Sequence, residues 1–195
     1  MPPKARITRE MIADAAVEAV RRGGPENISV RTVAGILQCS TQPVMYHFPT
    51  VAELRKEAYD RTDALHTGYL LNALPGRDPM LSIGLNYIRF AAEEPNLFRF
   101  LFQSGYADRT SLSGLLSPKQ TKPVLDAFCE NAGTERARAE EIFITLAMTV
   151  HGYTSLVANG MLEYDENNAA ALLERAFTGA LNAAASEDKN ESNNR

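Results

Sequence analysis

Residues 29–54, SVRTVAGILQCSTQPVMYHFPTVAEL, constrain the fold more than any other stretch of the chain. Ser29 precedes an apolar-periodic run, Val30, Val33, Ala34 and Leu37, and its hydroxyl suits the open amides of a helix start. Ser40 repeats the signal and opens a second run, Thr41 to about His47. Phe48-Pro49 stops that run, because proline lacks an N–H and disfavours helical geometry in the residue before it. Thr50-Val51-Ala52-Glu53 has the spacing of a capping box and starts another helix at once. The pattern predicts two short helices joined by a tight turn, with a longer helix following.

The second short helix is rich in side chains that can touch DNA. A helix-turn-helix needs a small residue where its two helices cross, and Ala34 supplies it. The turn residue four positions on must adopt positive φ, which in Gln38 costs on the order of 1 kcal/mol relative to glycine. Val44 and Phe48 fit inward anchors. Thr41, Gln42, Tyr46 and His47 lie on the other faces. Glutamine can pair with adenine through two hydrogen bonds, threonine can meet a base or a thymine methyl, and tyrosine and histidine can reach phosphates. Pro43 falls in the first turn, where its missing N–H breaks no helical bond. It also removes one capping donor, so Ser40 is expected to cap at the Gln42 N–H. Pro43 and Met45 are apolar and suit a thymine methyl or a sugar.

The flanking sequence uses the same helical grammar. Thr8 caps a first helix to about Arg22, ended by Gly23-Gly24-Pro25. The fourth helix is predicted to reach about Leu74, where Pro75-Gly76 stops it. Helices are further predicted over Pro79–Glu94, Asn96 to about Ser104, a segment opened by Ser117-Pro118-Lys119-Gln120, Glu135 to about Asn159, and Asp165 to about Ala185. Residues 105–116 read as a loop. No segment alternates like a strand, so the fold class is all-α: an N-terminal three-helix domain holding the helix-turn-helix, and a larger helical body. The expected division is residues 1–50, then 51–185 with 51–74 as connecting helix. The polar tail 186–195, SEDKNESNNR, is expected to be disordered.

Net charge is −4 over 195 residues, which argues against the whole surface binding nucleic acid. Its distribution is more informative. Residues 1–56 carry eight Lys/Arg against five Asp/Glu, giving +3 and leaving −7 for the remainder. A basic head on an acidic body suits local phosphate contact. Cys39 and Cys129 are isolated thiols outside any Cys-x-x-Cys or Cys/His cluster, so no metal or cofactor is expected. No apolar N-terminal stretch reads as a signal peptide, and no run of 18 apolar residues reads as a membrane span. The cytoplasm is the expected location.

The stretch from Ile12 to Leu54 resembles the DNA-binding domain of TetR-type transcriptional repressors. IADAAVEAV matches the first helix, ISVRTVA the second, and CST…YHFPT..EL the third and the start of the fourth. VHGYTSLVANG (150–160) is similar to the His-Gly helix of one branch of these repressors, and FRFLFQSG (98–105) is similar to that branch as well. Gln38 stands for the usual Gly, Thr32 for an acidic residue, Gln42-Pro43 for Gly-Thr, and Met45 for Tyr. The changes at 42, 43 and 45 bear on the DNA sequence read rather than on the fold.

The resemblance implies a homodimer on a double-stranded, pseudo-palindromic operator, acting as a ligand-released repressor. Arg31, Ser40, Thr41, Tyr46, His47 and Lys56 would position the head on phosphates. Gln42, Pro43 and Met45 would face bases. The last two long helices would pair between subunits, with Val150, Val157, Ala171, Leu172, Phe177 and Leu181 as an apolar surface and Gly152 and Gly179 permitting close approach. An unidentified apolar or amphipathic small molecule would bind in the body. Tyr87, Phe90, Phe98, Phe102, Phe143, Met148, His151 and Tyr153 are the candidate lining. Taken alone, each of these residues fits ordinary core better than a pocket wall.

Three other readings compete. A hydrolase using His151 and Ser155 lacks an acidic orienter and an oxyanion motif, so no enzyme is expected. A redox sensor at Cys39 needs an exposed, activated thiolate. A helical interaction or sensor module that has lost specific DNA binding fits the unusual residues at 42, 43 and 45.

Overall fold

A computed structural model of the chain describes residues 7–106, 122–132 and 135–193, and among them there are helices and no strands. The first helix, α1, is Arg9–Gly23, and Thr8 Oγ1 accepts the Met11 N–H at its start. Gly24, at φ 80°, turns the chain out of α1, and a 3-10 turn over Pro25–Asn27 follows. That turn was not foreseen from the sequence. Asn27 Nδ2 donates to the Ala19 carbonyl at 2.8 Å, which ties the turn back to α1. Gly23 is required at its position because a Cβ there would lie 2.6 Å from Asn27 Nδ2.

Helix α2 is Val30–Ile36, α3 is Thr41–His47 and α4 is Val51–Leu70. The fourth helix stops short of the expected end near Leu74. Asn86, almost fully buried, donates through Nδ2 to the Asn72 carbonyl at 2.6 Å and reaches the Leu70 carbonyl at 3.4 Å. A distant side chain thus takes over the backbone groups that another helical turn would have used. Helix α5 is Pro79–Glu93, α6 is Pro95–Phe102 with proline at its first position, and α7 is Lys122–Ala132. The expected cap at 117–120 and most of the expected loop at 105–116 lie outside the described residues. Helix α8 is Arg136–Ala158 and α9 is Glu166–Asn193. The ninth helix continues into the segment expected to be a disordered tail, beginning at Ser186. Ser186–Asn193 lacks Gly and Pro, so no strong helix breaker stops the helix there.

The chain divides into two compact units. The head comprises Met1–Leu65 and Glu94–Asp108, and the body comprises His66–Glu93 and Arg109–Arg195. The sequence-based division near residue 50 therefore shifts. The boundary falls inside α4, and α6 belongs to the head, where it packs on α1. The link is specific: Glu94 takes the Arg21 guanidinium at 2.9 Å, and Asn96 Nδ2 donates to the Arg21 carbonyl at 2.8 Å. The head core is Ile12, Ala16, Val20, Val33, Val44, Phe48, Leu54 and the α6 residues Leu97, Phe98, Phe100 and Leu101, all buried.

In the body, α5 packs on α8 and α9, and α7 packs on α8. One cluster joins Leu85, Ile88, Val150, Val157, Ala169, Ala170 and Leu173, and a second joins Phe128, Ala139 and Ile142. Gly84 allows the close approach of α5 to α9, since a Cβ there would lie 2.8 Å from a Leu173 methyl. Glu166, in the first turn of α9, receives Arg77 at 3.0 Å and Arg89 at 2.6 Å. Helix α8 is long and apolar enough to cross a membrane by length and composition, contrary to the expectation that no segment would be. Only 28% of its most apolar stretch is buried within the chain. Replacing Asn86 by Ala should lower the stability of the body by about 1–3 kcal/mol in urea unfolding, because the Asn72 carbonyl loses its buried partner.

Candidate nucleic-acid interface

The turn between α2 and α3 follows from backbone hydrogen bonding. Ser29 Oγ accepts the Thr32 N–H at 3.0 Å and pairs with Thr32 Oγ1 at 2.8 Å, so a threonine hydroxyl completes this cap where an acid is usual. At the other end of α2, the Cys39 N–H reaches the Ala34 carbonyl at 3.0 Å and the Gln38 N–H reaches the Gly35 carbonyl at 3.2 Å. This crossed pair is the Schellman arrangement, and it requires the residue between to be left-handed. Gln38 obliges at φ 51°, as the sequence required. The turn leaves Cys39 half-buried, with its N–H committed to the backbone.

Helix α3 is fixed by two anchors. Val44 and Phe48 lie four residues apart and are fully buried. Their burial turns Thr41, Gln42, Met45 and Tyr46 to solvent together. Met45 is 55% exposed and Tyr46 80% exposed, which is unusual for large apolar side chains on a helix of a folded head. Pro43 is half-buried. Ser40 occupies the N-cap position with extended backbone but makes no side-chain cap hydrogen bond. The expected bond from Gln42 N–H to Ser40 is therefore absent, and the exposed Ser40 hydroxyl points to solvent uncommitted.

Residues flanking the helix have mixed standing. Arg31 is exposed on α2 and forms no ion pair among the described residues. Lys56 is exposed on α4, where Asp60 takes its ammonium at 2.5 Å and holds its pKa above the ordinary lysine value. His47, expected to face phosphate, is half-buried, and its Nε2 donates to the Ile7 carbonyl at 3.3 Å. It joins the chain ahead of α1 to the end of α3.

Arg9 does the same work, and no local sequence pattern marks it. Its guanidinium lies 4.0 Å over the Phe48 ring, donates to the His47 carbonyl at 2.9 Å and pairs with Glu57 at 2.8 Å. One side chain from α1 thus holds the end of α3 and the start of α4. Its partners are 38 and 48 positions away, beyond the reach of any helical spacing. Other head cations are also paired: Arg21 with Glu18 and Glu94, Arg22 with Glu18, and Arg61 with Asp14. Of the acids that take head cations, Glu57, Asp60 and Glu94 lie outside residues 1–56, so the basic balance counted over that stretch overstates the charge of the head.

The proposed lining residues of the body are not brought together as one group. The Tyr87 hydroxyl and His151 Nδ1 are hydrogen-bonded at 2.9 Å. The ring of buried His66, which no sequence pattern marks, meets Tyr87 and Phe90 edge-on. Burial holds the His151 imidazole below its ordinary value near 6.5. Tyr153 packs on the first core cluster, and Phe143 on the second, 5.7 Å from Phe128. Phe90 is fully buried core. Met148 faces solvent at 47% exposure. Phe98 and Phe102 belong to the head, with their rings 4.8 Å apart.

The expected pairing surface also needs correction. Val150 and Val157 are buried in the chain's own core, and Phe177 and Leu181 pack on the second cluster. Facing outward instead are Glu141, Thr145, Met148, Thr149, Gly152 and Leu156 on α8, and Ala171, Glu174, Arg175, Thr178 and Gly179 among others on α9. Among the described residues nothing lies within 4 Å of a Cβ built on Gly152 or Gly179. Periodicity marks both sides of a helix that is apolar all round, so it could not separate these faces.

Residues 80–180, half of the chain, match the family model described as Tetracyclin repressor-like, C-terminal domain. An uncharacterised HTH-type transcriptional regulator of Bacillus subtilis (strain 168), YobS, is 23% identical over 170 residues, which span 86% of this chain and 87% of that protein. A solved TetR-like transcriptional regulator from Rhodococcus sp. RHA1 superposes with a TM-score of 0.61 at 19% identity, covering 93% of this chain and 98% of that one, which is a likeness of fold.

Two outcomes are expected of these local structures. Gln38→Gly should stabilise the head by about 1 kcal/mol in thermal or urea unfolding, because glycine removes the left-handed strain. In acid, the body should lose stability as pH falls below the ordinary imidazole value of 6.5, since His151 takes up a proton more readily unfolded than folded. The loss should level off once pH passes below the depressed folded value, and His151→Gln should flatten the profile.

Proposed function

The chain belongs to the tetracycline-repressor-like family of DNA-binding transcriptional regulators, and from that premise we propose that it is a ligand-released repressor acting as a homodimer. The observation that carries the reading is the outward face of α3. Thr41, Gln42, Met45 and Tyr46 are exposed together on a helix whose opposite side is locked by Val44 and Phe48. Such a helix is narrow enough for the major groove, and its exposed groups can meet base edges while its flanks grip phosphates.

In this reading Gln42, Pro43 and Met45 face bases. Arg31, Ser40, Thr41 and Tyr46 contact phosphates or sugars. Arg31 contributes the clearest phosphate contact, since it has no internal ion pair to give up among the described residues. Lys56 must exchange its Asp60 partner for a phosphate, and His47 with Arg9 hold the helix in place rather than touching DNA.

The dimer is formed by α8 and α9 of two copies. Helix α8 exposes Met148 and Leu156, at 47% and 43%, beside Gly152, and α9 exposes Ala171 and Gly179 on its outward side. An apolar stripe edged with small residues is suited to close helix pairing and exposes apolar surface when unpaired. Two heads in one dimer fit a pseudo-palindrome read in successive major grooves. A small apolar or amphipathic molecule in the body shifts the dimer to a form that no longer fits that spacing, and DNA is released. Access to chromosomal DNA places the protein in the cytoplasm.

Three measurements test this reading. Gln42→Ala should cost roughly 1–3 kcal/mol on the preferred site and relax base preference there. Arg31→Ala should weaken all sequences alike and reduce the salt slope by about 1. Leu156→Glu should yield a folded chain that sediments as monomer where the parent sediments as dimer; a dimer that survives the change would move the interface elsewhere.

A further inference from the structure

The DNA-facing side of α3 has a composition that selects among bases, and this inference rests on the reading just given. Helix α3, TQPVMYH, holds no Arg, Lys, Asp or Glu. Guanine is most often read by Arg or Lys at O6 and N7, and cytosine by a carboxylate accepting from N4. Neither reader is present. Of the nearest cations without an ion pair among the described residues, Arg31 sits on α2, the helix that crosses the phosphate backbone in this motif, and Arg55 sits on α4 with its guanidinium over the Tyr106 ring. What α3 does present is one amide, one thioether, one aliphatic hydroxyl and one phenol, from Gln42, Met45, Thr41 and Tyr46.

Gln42 carries a donor and an acceptor at its tip, the complement of adenine N7 and N6. Met45 is three residues further on, so the two side chains are neighbours on one side of the helix. Met45 is 55% exposed. An apolar side chain in that setting gains most from an apolar partner, and the apolar group that bases offer in the major groove is the thymine 5-methyl. A thioether on an unbranched stem adapts its shape to such a contact. Neighbouring helix positions are about 5–6 Å apart and stacked bases about 3.4 Å apart, so Gln42 and Met45 reach base pairs next to or one removed from each other.

We infer that the base pairs lying under α3 in each half-site are A·T, with adenine held by Gln42 and a thymine 5-methyl packed on Met45. The chain is thereby a reader of methyl groups as much as of hydrogen-bond edges.

The test is a random-sequence selection with the full-length protein, followed by deoxyuridine substitution in the selected site. Deoxyuridine keeps every hydrogen bond of thymine and removes only the methyl. The selected half-sites should share an A·T core, and deoxyuridine at one thymine of that core should weaken binding about fourfold per methyl lost, the worth of one buried methyl-sized group. Met45→Ala should bind the thymine and deoxyuridine sites equally, and Met45→Leu should restore the difference. A selected core of G·C pairs, or a deoxyuridine site bound as tightly as the thymine site by the parent protein, overturns the inference while leaving the DNA-reading function intact. A selection that enriches no sequence overturns both.

Discussion

Burial of Val44 and Phe48 makes α3 a helix with a defined outer face. A seven-residue peptide does not hold helical structure alone, because nucleation outweighs the few hydrogen bonds gained. The two anchors supply that missing stability by inserting into the head core, and they fix rotation about the helix axis at the same time. Everything exposed on α3 is exposed because these two residues are not. The turn before it and the clamp after it serve the same end. Gln38 accepts a left-handed backbone so that the Ala34 and Gly35 carbonyls are satisfied, and Arg9 covers Phe48 while holding the His47 carbonyl and Glu57.

The body is organised around a different problem. Its helices are apolar on more than one side, and polar groups inside it are paired locally. Asn86 satisfies the end of α4, Thr154 returns its hydroxyl to the Val150 carbonyl at 2.7 Å, and Tyr87 meets His151. Glu166 takes two arginines at the start of α9, where a carboxylate also suits the helix dipole. These contacts place His151, Glu166, Arg77 and Arg89 in defined partnerships. Among the described residues Met148 and Leu156 on the outward face of α8, and Ala171 and Gly179 on that of α9, make no such partnership, which is why they carry the dimer proposal.

Much of the head was legible in the sequence because its signals are local. Caps at Thr8 and Ser29, the stop at Phe48-Pro49, the anchors and the strained turn at Gln38 all act within a few residues. The family resemblance over Ile12–Leu54 pointed to the same arrangement. The body was legible in helix type and poorly so in helix sides. Val150 and Val157 turn inward while Met148 and Leu156 turn outward on one apolar helix, and that choice is made by α5 and α9 rather than by any pattern in α8. The same limit hid Arg9 and His66, whose roles depend on residues far along the chain. It also led Phe98 and Phe102 to be grouped with the body, although α6 is part of the head.

On this reading the outward face of α3 meets DNA as half of a two-fold pair. Hydroxyl-radical footprinting of the full-length protein on the DNA flanking its own gene, at physiological salt with excess competitor, tests it most directly. Two protected segments are expected on one face of the duplex, their centres about 10 bp or a multiple of that apart. Protection that competitor DNA removes at every position would contradict it.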